Sequence, residues 1–335
     1  MSLLYSSAIP TERVATIEAA LVKVFNTTDV TGISLLAGGL SGSAVYKITL
    51  GGRHYVLKLG AANDTSAFPG SLALASAAGI APSLKYEDKL QGIVISDFID
   101  NKPVRGIFAP DKLAGELGHA IKTVHAIPCN GEGKDLFETV DGMIEQFRNA
   151  KILSGPLFDE CFQYYGTIKN RYPRVASDKV FSHNDLNPSN ILCDGERIWI
   201  IDWDVAYLND RYVDLANAAN FFVQTEEQES TLLNAYFDHV VDDQKMARFY
   251  VMRQVCRIIY SLLMFQLAMR HKPAGYQHDQ VMEGNDLRAF GSLMALGKLS
   301  LAEYEGQLMY GKALFNEAVH QMRTPRFADS LAQFE

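Results

Sequence analysis

Residues 181–204 read FSHNDLNPSNILCDGERIWIIDWD. His183, Asp185 and Asn190 stand at fixed offsets, with Asn190 five residues after Asp185. Two short apolar runs follow, 190–193 and 197–201, divided by a turn at Gly195, and the second run ends at Asp202. The pattern predicts a polar loop, then a hairpin that folds the chain back, so that Asp202 returns close to Asn190. These residue types suit phosphoryl transfer, whose loose, charged transition state asks a protein for position and charge. A carboxylate must accept the proton of the attacking hydroxyl, and Asp185 is placed for that. Mg²⁺ is a hard cation that takes oxygen ligands; Asn190 offers an amide oxygen and Asp202 a carboxylate. A chance polar loop has no reason to set three polar residues at this spacing ahead of an apolar strand ending in Asp. His183 reads as a residue packed under the loop rather than a proton carrier.

Working toward the N-terminus, Val14, Ile17 and Leu21 recur at helical spacing within 11–25. The period then changes. Ile33 to Ala37, Ala44 to Leu50 and His54 to Leu59 read as strands, with Gly51-Gly52 as a two-residue hairpin turn. A short helix at 70–78 and extended runs at 83–87 and 91–98 complete a small sheet. Residues 97–103, DFIDNKP, read as a connector. Beyond it, helical patterns dominate at 110–126, 137–150, 155–171, 213–223, 230–239, 242–270 and 299–321. The expected architecture is α+β: an antiparallel β-sheet N-lobe over 1–98, a hinge at 99–103, and a mostly helical C-lobe over 104–335.

Gly38-Gly39-Leu40-Ser41-Gly42-Ser43 lies between the first two strands. Glycine-rich loops let backbone N–H groups approach phosphate oxygens. Alone, such a loop is more often just a hairpin. Its position ahead of Lys58, in the apolar run Tyr55-Val56-Leu57-Lys58, gives it weight.

HNDLNPSNIL followed by IDWD resembles the choline kinase and aminoglycoside phosphotransferase superfamily of small-molecule kinases, whose pattern is His-x-Asp-x-x-x-x-Asn and then Ile-Asp-aromatic-acid. GLSGSAVYKI looks like the nucleotide loop of the aminoglycoside enzymes. The resemblance covers roughly residues 30 to 225 and implies a two-lobed protein-kinase-like fold. It implies an ATP- and Mg²⁺-dependent kinase of a small-molecule hydroxyl, with a choline- or ethanolamine-like amino alcohol or an aminoglycoside as acceptor. Asp185 would be the catalytic residue, and Asn190 and Asp202 the metal ligands, for one ion or two. Lys58, Gly39, Ser41, Gly42 and Ser43 would hold the phosphates. Main-chain groups from Ser96 to Phe98 would meet adenine. Asp204, two residues past Asp202, would hold metal or a substrate amine. Asp214, in Arg211-x-x-Asp214-Leu215-Ala216, is expected to cap a helix or anchor a loop.

Two departures stand out. Kinases pair the strand lysine with a glutamate from the N-lobe helix, yet PGSLALASAAG holds no acid. Either Asp64 reaches back, or the pairing is missing or comes from elsewhere. Choline kinases box their ammonium with aromatic rings, whereas here the late helices offer Tyr236, Tyr250, Tyr260 and Phe265, which at helical spacing read as core. The missing glutamate favours an alternative, a non-catalytic nucleotide- or ligand-binding relative; the complete Asp185, Asn190, Asp202 set opposes it. A protein substrate is disfavoured, because no long activation loop follows Asp202.

The 335 residues suffice for two core-bearing lobes. A formal net charge of −8 argues against a nucleic-acid surface, which needs a cationic footprint. Cys129, Cys161, Cys193 and Cys256 form no CxxC pair, which disfavours a zinc site or a disulfide framework and fits a reducing cytoplasm. The most apolar stretch, Ile258 to Phe265, is too short to span a bilayer. The run Glu226-Glu227-Gln228-Glu229 reads as a solvated face that could also attract a polycation. No protein partner is expected.

Overall fold

The computed structural model describes residues 8–36, 43–61, 70–129 and 133–334. Gly39, Ser41 and Gly42 of the glycine-rich loop, and Asp64, lie outside the described residues; Ser43 lies within them. The chain forms two compact units. One joins Met1–Pro128 to His183–Tyr207; the other joins Cys129–Ser182 to Leu208–Glu335.

In the first unit, helix α1 (Thr11–Phe25) buries Ile17, Ala20 and Leu21 and ends where Asn26 turns left-handed, at φ 56°. Strands β1 (Gly32–Leu35), β2 (Ala44–Leu50) and β3 (Arg53–Leu59) follow, then helix α2 (Ser71–Ala77) and strands β4 (Leu84–Asp88) and β5 (Ile93–Asp97). The sheet order is β1-β2-β3-β5-β4, all antiparallel. Gly51 and Gly52 sit at φ 54° and 76°, the pair of positive values that a tight hairpin turn between β2 and β3 demands. Alternation does the rest. Tyr46, Ile48 and Leu50 of β2 and Tyr55, Leu57 and Leu59 of β3 join Ile17 and Leu21 of α1 in one buried core. Burying each such side chain contributes about 1.5–3 kcal/mol. The other parity of the same strands, Val45 opposite Lys58, faces away from that core. Register alone therefore presents Lys58 on the free face of the sheet.

The unit continues through helices α3 (Val104–Ile107) and α4 (Pro110–His125). It then takes in the hairpin of β7 (Ile191–Cys193) and β8 (Ile198–Ile200), in register Ile191↔Ile200 and Cys193↔Ile198.

The second unit holds α5 (Leu136–Ala150), α6 (Pro156–Arg171), β6 (Lys179–Ser182) paired with β9 (Tyr207–Asp210), α7 (Arg211–Phe222), α8 (Glu226–Phe237), α9 (Asp243–His271), α10 (Leu287–Ala295), α11 (Tyr304–Met322) and α12 (Pro325–Ala332). By length and composition α9 could cross a membrane, yet 72% of its most apolar stretch is buried within the protein. It is a core helix. Tyr236, Tyr250 and Phe265 are buried. Phe147, Phe158, Phe265 and Phe315 pack ring against ring.

Two expectations change. Helix α7 is capped by Asp210, whose side chain accepts from the Tyr212 N–H; Asp214 lies inside the first turn, fully buried. The acidic run 226–229 is not a solvated face throughout. Thr225 caps α8, so the acids occupy its first turn, where the helix dipole favours negative charge. Glu229 is buried and salt-bridged to Arg253 and Arg326.

Candidate active site

The polar loop predicted from 183–190 is held by its own side chains. His183 is fully buried and T-stacked on Trp203 at 4.7 Å. Its Nδ1 accepts from the Asp185 N–H at 3.2 Å, so its Nε2 carries the proton and donates to the Ile201 carbonyl at 2.9 Å. The ring thus ties the start of the loop to the end of β8. Asn184 takes the left-handed conformation, φ 68°, and its amide donates to the Val205 carbonyl at 3.0 Å.

Each oxygen of the Asp185 carboxylate meets one amide. Asn187 Nδ2 donates to Oδ1 at 3.0 Å and Asn190 Nδ2 to Oδ2 at 3.0 Å. Asn190 Nδ2 also reaches the Asp185 carbonyl at 2.9 Å. Asn187 Oδ1 meanwhile accepts from the Ser189 N–H at 2.8 Å and caps the short turn that leads to Asn190. Asn187 was not singled out in the sequence, although Asn before Pro is a turn signal.

The hairpin then does what its spacing predicts. The Ile201 N–H donates to the Asn190 carbonyl at 3.0 Å. Asp194 closes the turn, accepting from the N–H groups of Glu196 and Arg197 at 2.9 and 3.0 Å and from Trp199 Nε1 at 2.7 Å. Burial works against its charge, but these donors and Arg197 outweigh it and hold the carboxyl down to about 2. The connector pins the other end. Asn101 Oδ1 accepts from the Cys193 N–H at 2.9 Å, and the Lys102 N–H donates to the Cys193 carbonyl at 2.8 Å.

Past β8, Asp202 sits at φ 63°, a conformation that non-glycine residues adopt at some cost. This turn aims its carboxylate at the sheet. Lys58 Nζ lies 2.7 Å from Asp202 Oδ1 and 2.6 Å from Asp204 Oδ2. Burial alone would lower the Lys58 pKa; the two carboxylates outweigh it and hold the ammonium above its ordinary value. Asp204 is pushed up, first by burial and then by the like charge of Asp202, against the pull of Lys58. Lys58 is thus paired without a helix acid. The partner of Lys58 comes from the segment after β8, and Asp204, expected to face metal or substrate, is engaged with the lysine. Helix α2, without an acid, touches the same segment through Ser71, whose Oγ donates to the Trp203 carbonyl at 3.2 Å.

At the connector, the Asp97 N–H donates to Ser83 at 3.0 Å and the Phe98 N–H to His54 at 3.3 Å. Ser96 is paired in the sheet with Val56 and Leu84. The N–H groups of Asp97 and Phe98 are therefore already used; among the described residues the N–H of Ile99, one residue beyond the expected span, makes no hydrogen bond.

The donor set fits Mg²⁺. Asn190 spends its Nδ2 on Asp185, which leaves its Oδ1 as the side-chain oxygen that could meet a cation, and Asp202 is about one-third exposed. Among the described residues no three His, Cys, Asp or Glu side chains gather as a metal cluster. Few protein oxygens, with substrate phosphates completing the shell, is the usual manner of Mg²⁺ binding.

The model of the phosphotransferase enzyme family matches residues 32–249. Among curated proteins, protein LicA of Haemophilus influenzae is 29% identical over 101 residues, which are 24% of this chain and 38% of that protein. The match thus spans well under half of the relative's length. Among solved structures, a choline/ethanolamine kinase family protein from Mesorhizobium loti superposes with a TM-score of 0.70 at 19% identity, covering 96% of this chain and 98% of that one. A spectinomycin phosphotransferase solved with ADP and spectinomycin gives 0.57 at 14% identity, covering 95% and 97%.

Proposed function

This chain belongs to the phosphotransferase enzyme family, and we propose that it is an ATP- and Mg²⁺-dependent kinase that phosphorylates the hydroxyl of a small amine-bearing molecule, of the amino alcohol or aminoglycoside kind. One observation carries the reading. Lys58, Asp202, Asp185 and Asn190 belong to one compact unit, with the lysine in direct contact with Asp202 and both amides on Asp185.

In this reading Lys58 and the 38–43 loop hold the triphosphate, and the main chain of the connector, with its unused Ile99 N–H, meets the base. Asn190 and Asp202 hold Mg²⁺, which when bound neutralises phosphate charge. Asp202 faces Lys58 with Oδ1, which leaves Oδ2 for a cation, and Asp204 is the second carboxylate that keeps Lys58 in place. Asp185 accepts the acceptor's hydroxyl proton as that oxygen attacks the terminal phosphorus and the bond to ADP breaks. The amides of Asn187 and Asn190 fix the direction in which the carboxylate points. The four cysteines are free thiols, which supports a cytoplasmic setting.

The test is ADP release from Mg-ATP across choline, ethanolamine, aminoglycosides, homoserine, thiamine and methylthioribose. Acceptor-dependent release that is lost in Asp185→Asn is the expected result. Release that persists at the wild-type rate in Asp185→Asn would overturn the assignment of Asp185.

A further inference from the structure

The outer end of the sheet, where β2 turns into β3, gathers a second group of cations. Register brings them together. Lys47 stands opposite Val56 and Thr49 opposite His54, so Lys47 and His54 share the free face with Lys58. His54 precedes Lys58 by four residues of one strand, a separation of about 13 Å at the usual rise. A bulge between Leu84 and Tyr86 takes Lys85 out of the ladder, and its ammonium meets Asp97 at 2.9 Å. With Arg53, Phe98 and Asp100 these residues line an open pocket of about 680 Å³ that lies wholly within the first compact unit. Gly52 lines it too, and a Cβ at Gly52 would meet nothing within 4 Å, so the pocket is open on that side.

The charges of the pocket do not cancel. Lys85 is spent on Asp97. Lys47 is half-buried and rests its ammonium on the Phe98 ring, 4.4 Å from the centroid. Among the described residues neither Lys47 nor Arg53 has a carboxylate within ion-pair distance, and Asp100 is the opposing charge. Three cations thus face two carboxylates, a local positive excess on a chain of net charge −8. His54 adds a neutral donor or acceptor: its Nδ1 is hydrogen-bonded to Thr49 Oγ1 at 3.0 Å, which leaves Nε2 for a ligand. A guanidinium fork, an ammonium and an imidazole nitrogen, on three separate side chains, suit the three terminal oxygens of a phosphate monoester better than the two coplanar oxygens of a carboxylate. The rings of Phe98 and Tyr55 supply an apolar wall for the carbon part of such a ligand.

We propose that this pocket binds a small phosphate-bearing metabolite, at a site separate from Lys58, with Lys47 and Arg53 as its charge-bearing contacts. The proposal does not rest on the kinase reading. Lys58 is closed by Asp202 and Asp204, whereas Lys47 and Arg53 are still without an anion.

The experiment is calorimetry on the full chain at about 0.15 M ionic strength, where exposed charges are screened beyond roughly 8 Å. The titrants are glycerol phosphate, inorganic phosphate, malate as a dicarboxylate, and glycerol. Each is run with and without Mg²⁺ and a non-hydrolysable ATP analogue. Glycerol phosphate is expected to bind, glycerol not to bind, and malate to bind about tenfold or more weakly than glycerol phosphate. The nucleotide analogue should leave these affinities unchanged. Lys47→Gln and Arg53→Gln should each weaken glycerol phosphate about tenfold, while Lys89→Gln, an exposed cation of the same unit outside the pocket, should have no effect. Arg53 is exposed, so its variant tests the site even if Lys47→Gln fails to fold. Four results overturn the proposal: no binding by either phosphate probe, equal affinity for malate, undiminished binding in Arg53→Gln, or displacement of the phosphate by the nucleotide analogue, which would seat the anion at Lys58. ADP release, followed separately, keeps the two readings apart. Phosphate binding without ADP release on any acceptor keeps this inference and sinks the kinase; ADP release without phosphate binding does the reverse.

Discussion

The segment 183–204 and the helix α9 are both rich in polar groups, yet they use them differently. In 183–204 nearly every polar atom holds another in place: His183 spans Asp185 and Ile201, Asn187 and Asn190 hold Asp185, and Asp194 closes the hairpin. In α9 the polar groups brace helices against one another, as Arg253 does with Glu229, and one of them, Arg257, is left with a neutral partner. A phosphoryl transfer site needs particular atoms at particular distances, so its residue types are fixed and readable. A helix brace needs only complementary charge and volume, and leaves no spacing to read.

The sharpest way to break this comparison is Asp185→Asn. Loss of a general base costs about 10²–10⁴ in rate, so turnover should fall by that order while Mg-ATP affinity, measured by calorimetry, stays nearly constant. Retained turnover would mean that 183–204 is scaffolding like α9. Next in size is Glu229→Gln, which leaves Arg253 buried beside a neutral amide. Breaking a buried pair costs about 3–5 kcal/mol, and a drop of many degrees in thermal midpoint is expected, with activity normal below the transition. Unchanged stability would show the brace to be dispensable.

Asp204→Asn sharpens the comparison from the site's side. If Asp204 serves in place of the helix acid, the variant should raise the KM for Mg-ATP and lower kcat together, whereas Asp64→Asn should do neither. The reverse pattern would return the role to Asp64. The smallest effect is expected at Asp194. Asp194→Ala removes the turn's acceptor and should cost about 1 kcal/mol, read as a shifted denaturation midpoint. Its carboxyl is held down in the folded state, so its contribution is complete above the ordinary Asp value of about 3.9. The contribution is lost as pH falls from there toward about 2, and the difference between wild type and Asp194→Ala should close over that window.

The sequence read best where a local rule had one solution. Gly51-Gly52 admits little but a tight turn, and Ala44–Leu50 is the strand expected from it. Asp202 after an apolar run, seven residues past the turn residue Gly195, could only come back beside its own hairpin. What escaped were contacts set by distant chain. Lys58 and Asp204 are 146 residues apart, so no pattern near Lys58 could have named its partner. The strands Lys179–Ser182 and Tyr207–Asp210 have four residues each, too few for alternation to register. Helix α12 was missed although Thr324-Pro325 is an ordinary helix start. Asp214 was expected to cap a helix or anchor a loop because it stands in the recognised segment; Asp210, four residues earlier, does the capping.

The first compact unit is discontinuous: it breaks off at Pro128 and resumes at His183. On the ribosome, the sheet that carries Lys58 emerges long before the aspartates that neutralise it. About 80 residues must be added between Pro128 and Tyr207, which at 5–20 residues per second takes roughly 4–16 s. For that interval the nascent sheet shows its lysine face without its natural cover. An anion of the cell can occupy that face first, before the segment that carries Asp202 and Asp204 has been made.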